Sequence, residues 1–125
     1  MHEVSLVHAL WDEVDRHAAD HPGAVVVLVR VRLGDAAGVE PELFVTAFAE
    51  TRAERGHGRA ALELVREREE WVCRACGLPI AAGAPLRCAG CGEAARLVRG
   101  DALFLDHLEL QVPDGGTLGP GGRDV

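Results

Sequence analysis

The chain has 125 residues, 48% of them apolar, enough for one modest core with a small metal-stapled lobe beside it and too few for a third domain. Thirteen basic residues, all arginine, face twenty acidic ones; the net charge of -7 removes the counterion-release term that drives nucleic-acid binding and points to protein and metal partners. Acidic residues at Glu3, Asp12, Glu13, Asp15 and Asp20 exclude a signal or transit peptide, and the longest apolar run, Ala24 to Val29, is too short to cross a bilayer, so the expectation is a cytoplasmic protein with no membrane partner.

From Glu3 to Ala19, apolar residues at Val4, Val7, Leu10, Trp11, Val14 and Ala18 follow the three-and-four spacing of a helix with one buried stripe, and Pro22-Gly23 stops it. Ala24 to Leu33 is an unbroken Val/Leu run that ends in alternation with Arg30 and Arg32, the pattern of a strand buried centrally and half exposed later. Gly34 to Gly38 predicts a turn. A second helix starts near Glu40, with Pro41 at its first position and Leu43, Phe44, Ala47, Phe48 and Thr51 as its apolar stripe; Gly56 and Gly58 end it. Ala61 to Arg68 predicts a strand. Trp71 opens a cysteine-bearing segment that runs to Arg99, and Ala102 to Val112 predicts the last strand, with Phe104, Leu108, Leu110 and Val112 on one face and His107, Glu109 and Gln111 on the other.

This order predicts an α+β fold in which two helices pack on a three-stranded sheet, with a small zinc-ribbon-like lobe inserted before the last strand. The expected domains are residues 1–70, completed by the strand 101–112, and the cysteine lobe 71–99. Residues 113–125 carry five glycines and two prolines with almost nothing apolar, and so predict a loose tail.

Cys73-Arg74-Ala75-Cys76-Gly77 and Cys88-Ala89-Gly90-Cys91-Gly92 are two Cys-x-x-Cys turns eleven residues apart, each followed by glycine. The two-residue gap aims both thiolates of a turn to one side, and the trailing glycine permits the positive φ that frees N–H groups toward sulfur. Two such turns complete a tetrahedron around structural Zn(II) and leave no open position for hydrolysis. Two disulfides, a single redox pair or an iron cluster are the competing readings; a reducing compartment and the doubled spacing favour zinc. The lobe's apolar stock, chiefly Trp71, Leu78, Ile80, Leu86, Leu97 and Val98, is too small to fold it by burial alone, so metal binding and folding are expected to be coupled.

At the amino terminus, His2 places an imidazole beside the Met1 amine and the backbone nitrogens of His2 and Glu3. Four nitrogens in a plane suit Ni(II) or Cu(II), whereas Zn(II) gains nothing from that geometry. Taken alone, a histidine near a terminus is ordinarily a solvated one. The remaining histidines, at 8, 17, 21, 57 and 107, form no His-x-x-x-His or His-Glu-x-x-His motif and read as surface residues. Ser5 has no His and Asp array about it, and the glycines near the carboxyl end lack the strand and helix of a phosphate loop, so the sequence offers no catalytic constellation and the chain reads as a non-enzyme.

The opening Met1-His2-Glu3, Gly34 followed by Gly38-Val39-Glu40-Pro41-Glu42-Leu43-Phe44, the Ala47-Phe48 pair and the doubled Cys-x-x-Cys, in this order and spacing, resemble the HypA/HybF family of nickel metallochaperones of [NiFe]-hydrogenase maturation. The resemblance covers about residues 1–112. It implies a Ni(II) site built on His2, a four-cysteine Zn(II) site on Cys73, Cys76, Cys88 and Cys91 in the other lobe, and delivery of nickel as cargo to the hydrogenase large subunit together with the pathway's maturation GTPase. The chain departs from the family pattern in Asp35-Ala36-Ala37, where many members carry a serine, and at His57, where threonine is frequent; neither touches the implied ligands. Glu40 stands where the family often has an acidic residue near the nickel, so its backbone or carboxylate is expected to approach His2. A square plane gives the His2 amide only two adjacent positions, which the Met1 amine, the His2 imidazole and the Glu3 amide cannot all fill. His2 is therefore the expected nickel ligand, with Glu3 contributing through its backbone or by hydrogen-bonding to a ligand, and the other nitrogens stay open. The chain is expected to be a monomer or weak homodimer. The alternative from another class is a zinc-ribbon protein-interaction module with no second metal.

Overall fold

The computed structural model describes residues 2–113. The tail expected from 113 onward therefore lies, from 114 on, outside the described residues. The amphipathic stripe near the amino terminus becomes helix α1, His2–Ala18, which buries Val7, Leu10, Trp11 and Val14. Its ends match the helix dipole, with Glu3 in the first turn and Arg16 and His17 in the last. Strand β1, Val25–Gly34, follows. Helix α2, Pro41–Thr51, has proline at its start, where no N–H is needed, and buries Phe44, Ala47, Phe48 and Thr51. Then come β2, Ala61–Glu67, the short strands β3, Glu70–Cys73, β4, Pro79–Ile80, and β5, Ala95–Arg99, and finally β6, Leu103–Gln111.

The chain divides into two compact units. Of the described residues, the first comprises 2–32, 39–65 and 104–113 and contains both helices and most of a three-stranded sheet in the order β2-β1-β6. On one face of that sheet, Arg30 of β1 reaches Glu63 of β2 at 2.9 Å and Arg32 reaches Asp106 of β6 at 3.3 Å. Such exposed pairs contribute little stability. They do fix which face of β1 carries polar side chains, and Val29 and Val31, alternating with them, are buried.

The core centres on Trp11. Its ring is wholly buried, stacks on Phe48 with centroids 4.6 Å apart, and donates from Nε1 to Thr51 Oγ1 at 2.8 Å, so the indole's one polar atom is satisfied inside the core. His57, expected at the surface, lies against the same ring, 5.2 Å between centroids, with Nε2 2.6 Å from Asp15 Oδ1. Asp15 is also bonded by Arg55 at 3.0 Å. Burial works to raise the Asp15 pKa, but these two partners hold its carboxyl below the ordinary aspartate range.

The faces of β6 differ from the expected alternation. Leu105 and His107 are buried, and then Leu108 and Leu110; the pattern changes phase between His107 and Leu108. Phe104, expected to share a face with Leu108, is 43% exposed, and His107, expected at the surface, is 5% exposed beside Glu109 at 3.1 Å. A one-residue slip in a strand of period two moves every side chain beyond it to the other face.

The second unit comprises residues 33–38 and 66–103. Its sheet runs β4-β3-β5, antiparallel, with Trp71 opposite Ile80 on one side and Leu97 on the other. Two glycines make its backbone crossing. Gly34 N–H donates to Ala102 O at 2.8 Å and Ala36 N–H to Gly100 O at 2.8 Å, and a Cβ on Gly34 would overlap the Gly100 carbonyl. Gly100 itself sits at φ +94°, and a Cβ there would come within 2.6 Å of Glu69 Cα and 2.7 Å of Arg68 O. Since both obstacles are backbone and the φ disfavours any L side chain, Gly100→Ala is expected to destabilise the fold by about 3 kcal/mol or more. A thermal melt of this variant that matches the parent within a degree would refute the crossing.

Candidate metal centres

The four cysteines converge. Cys73 ends β3, Cys76 follows in the turn after it, and Cys88 and Cys91 occupy a second turn of the same build. In the first turn Gly77 N–H donates to Cys73 O at 3.0 Å and Cys73 N–H to Leu78 O at 2.8 Å; in the second, Gly92 N–H donates to Cys88 O at 2.9 Å and Cys88 N–H to Glu93 O at 2.9 Å. Gly77 and Gly92 hold φ of 80° and 78°, the left-handed conformation that lets the chain double back after the second cysteine. Backbone N–H groups of Ala75 and Cys76 point at Cys73 Sγ, both at 3.3 Å, and that of Gly90 at Cys88 Sγ at 3.3 Å.

All four sulfurs lie within 4.8 Å of one another, with Cys73 to Cys91 at 3.5 Å and Cys76 to Cys88 at 3.7 Å. Thiolates at about 2.3 Å from a tetrahedral ion sit about 3.8 Å apart, so the cluster fits a four-sulfur metal site with little movement. The thiols titrate unequally. N–H bonds, first that of Cys76 and then that of Ala75, pull the Cys73 thiol down to about 6. At Cys91 the Glu93 N–H works in the same direction, but the neighbouring sulfurs, Cys73 foremost, prevail and push it up to about 12. A cation entering this cluster must displace protons from its high-pKa members, so its affinity falls with acidity.

Among the described residues this is the one group of three or more His, Cys, Asp or Glu side chains placed to share an ion. The amino terminus is different in kind. The His2 side chain is 60% exposed, and its Nδ1 lies 3.8 Å from Glu3 Oε2. His2 opens α1, so its own amide and that of Glu3 belong to the first turn, which has no intrahelical acceptor for its N–H groups. Met1 lies outside the described residues.

Glu3 is 9% exposed, and its Oε2 accepts the backbone N–H of Glu40 at 3.0 Å. That hydrogen bond is the largest cause of the lowering of the Glu3 pKa below its ordinary value. Glu40, whose backbone or carboxylate is expected to approach His2, bonds through its main chain the Glu3 oxygen that lies 3.8 Å from the His2 ring: as the residue preceding Pro41 it is extended at φ -78°, ψ 112°, with its N–H free to leave the helix. The sequence carried no signal that Glu3 would be the partner of the Glu40 N–H.

Comparison with known proteins agrees with the geometry. The family model described as hydrogenase/urease nickel incorporation, metallochaperone, HypA, matches residues 1–110. The hydrogenase maturation factor HypA of Wolinella succinogenes is 33% identical over 121 residues, covering 93% of this chain and 100% of that protein. The factor of the same name from Shewanella halifaxensis is 36% identical over 115 residues, covering 89% and 98%. The solution structure of the Ni metallochaperone HypA from Helicobacter pylori superposes with a TM-score of 0.66 at 26% identity, covering 88% of this chain and 97% of that one. A chain with this α+β fold, a four-cysteine cluster and a family match over nearly its whole length belongs to the HypA family of nickel-incorporation metallochaperones for hydrogenase maturation.

Proposed function

We propose that this chain takes up Ni(II) at its amino terminus through the His2 imidazole and neighbouring main-chain nitrogens, and hands the ion to the [NiFe]-hydrogenase large subunit together with the maturation GTPase. Cys73, Cys76, Cys88 and Cys91 hold a structural Zn(II). The working division is a nickel-binding domain of residues 1–70 completed by 101–112 and a zinc domain of residues 71–99, in a cytoplasmic monomer or weak homodimer. Exchange of a cation is the whole of the chemistry, and no covalent step is required.

The observation that carries this reading is the engagement of Glu3. One oxygen of its carboxylate accepts the Glu40 N–H, which holds the side chain in place, and the nitrogens that adjoin the His2 imidazole are those of the first-turn backbone. The first-turn amides have no helical hydrogen bond to give up. Amide nitrogen and imidazole together favour a square-planar d8 ion over Zn(II). An exposed site of this kind also suits release, because a partner's donors can approach the ion while His2 still holds it.

The test is addition of Ni(II) to zinc-loaded protein with a native, untagged amino terminus. One equivalent of uptake with a diamagnetic, near-planar spectrum is expected. No uptake beyond the cysteine cluster's own ion refutes the nickel site.

A further inference from the structure

The sulfur cluster is not evenly shielded. Cys73 is 1% exposed and Cys88 5%, whereas Cys76 and Cys91 are exposed. In each turn the first cysteine is covered and the second faces solvent. The close sulfur contacts run across the cluster, Cys76 to Cys88 at 3.7 Å and Cys91 to Cys73 at 3.5 Å, so each exposed sulfur has a covered one from the opposite turn beside it.

We propose that Cys76 and Cys91 are oxidative modification sites for hydroperoxides, each resolved by its covered neighbour, so that an oxidant cross-links the two turns and expels the ion they share. This rests on the reading of the cluster as a zinc site. Zinc coordination would hold all four sulfurs as thiolates, so access decides where oxidation begins: a peroxide must bring its O–O bond into line with the attacking sulfur, and only the exposed ones admit it. The Cys76 thiolate attacks one peroxide oxygen, the O–O bond breaks, hydroxide leaves, and the sulfur becomes a sulfenic acid. The Cys88 thiolate then attacks that sulfur, forming the S–S bond and expelling a second hydroxide. Two thiolates have lost two electrons and one peroxide has been reduced to two hydroxides. The same steps join Cys91 to Cys73. A disulfide of about 2.05 Å requires each pair to close by under 2 Å, and it withdraws two of the four donors at once. A two-thiol remnant holds Zn(II) far less well than the closed tetrahedron.

The experiment uses the full chain, first assayed for one zinc per chain by elemental analysis, then treated with hydrogen peroxide below and above one equivalent. Zinc release is followed with a chromophoric chelator, sulfenic acid is trapped with dimedone, and disulfides are mapped by mass spectrometry. Below one equivalent, about one zinc released per peroxide consumed is expected, with dimedone on Cys76 or Cys91 and one disulfide, Cys76–Cys88 or Cys73–Cys91, in each oxidised chain. Dimedone first on Cys73 or Cys88, disulfides confined within each turn, or zinc retained at a tenfold excess of peroxide overturns the inference while leaving the zinc site intact. A chain that holds no zinc before oxidant is added overturns the zinc reading, and this inference with it.

Discussion

His2→Ala is expected to abolish Ni(II) binding, weakening it by at least about a hundredfold, while zinc stays at one per chain. The imidazole is the one side-chain nitrogen in the opening tripeptide. Calorimetry for nickel and elemental analysis for zinc, on the same untagged material, separate the two metals. Unchanged nickel affinity in the variant would refute the assignment. Glu3→Gln supplies the graded control, since its amide oxygen can still accept the Glu40 N–H while the charge beside His2 is gone. Removing a group that orients a ligand costs on the order of tenfold in affinity, so Glu3→Gln should fall between the parent and His2→Ala. The charge itself makes the contact pH-dependent. Because the Glu3 pKa is lowered in the folded chain, its contribution is fully present above the ordinary glutamate pKa and is lost as the pH falls through the folded value.

Stripping the ion from the cysteines is expected to melt residues 71–99 and spare the helices. From Trp71 to Arg99 the buried residues are Cys73 and Cys88 alone, while Leu78 is 53% exposed, Leu86 51% and Val98 43%. The interior of this lobe is thus its own metal ligands, and four-sulfur coordination, worth about 10–16 kcal/mol in small zinc domains, replaces the missing apolar burial. By contrast Trp11, Phe44, Phe48 and the valines of β1 give the first unit a core that needs no ion. After a strong chelator, helical circular dichroism should persist, four thiols should titrate freely, and the amides of β3 and β5 should lose hydrogen-exchange protection. Protected amides in metal-free protein would show that the coupling of metal to folding is wrong.

Much of this architecture was legible in the residues because its signals are local. The stripe from Val7 to Val14, the Val/Leu run of β1, Pro41 at the head of α2 and the doubled Cys-x-x-Cys each declare themselves within a window of a dozen residues. What escaped depends on distant partners. Strands of two to five residues, such as β4 and β5, are too short for periodicity, and become strands only through pairing with β3. His57 is a lone imidazole in sequence, and its partial burial follows from Trp11, 46 positions earlier. The phase change in β6 was hidden because Phe104, Leu105, Leu108 and Leu110 put apolar residues on both alternations, so composition could not say which pair turns inward. At the metal centres the cysteine cluster was legible from spacing, whereas the Glu3–Glu40 contact, 37 residues apart, was not.

The chain contains two tryptophans and no tyrosine, and the two units receive one indole each. Trp11 is sealed in the helical core against an aromatic neighbour and an imidazole, and Trp71 is half-buried on the central strand of the cysteine lobe, bonded to Glu69 at 2.7 Å. Ultraviolet emission from this molecule is therefore a sum of a shielded, blue-shifted source and a wetter, red-shifted one. Without any attached dye, the colour of that light reports which half of the polypeptide has opened.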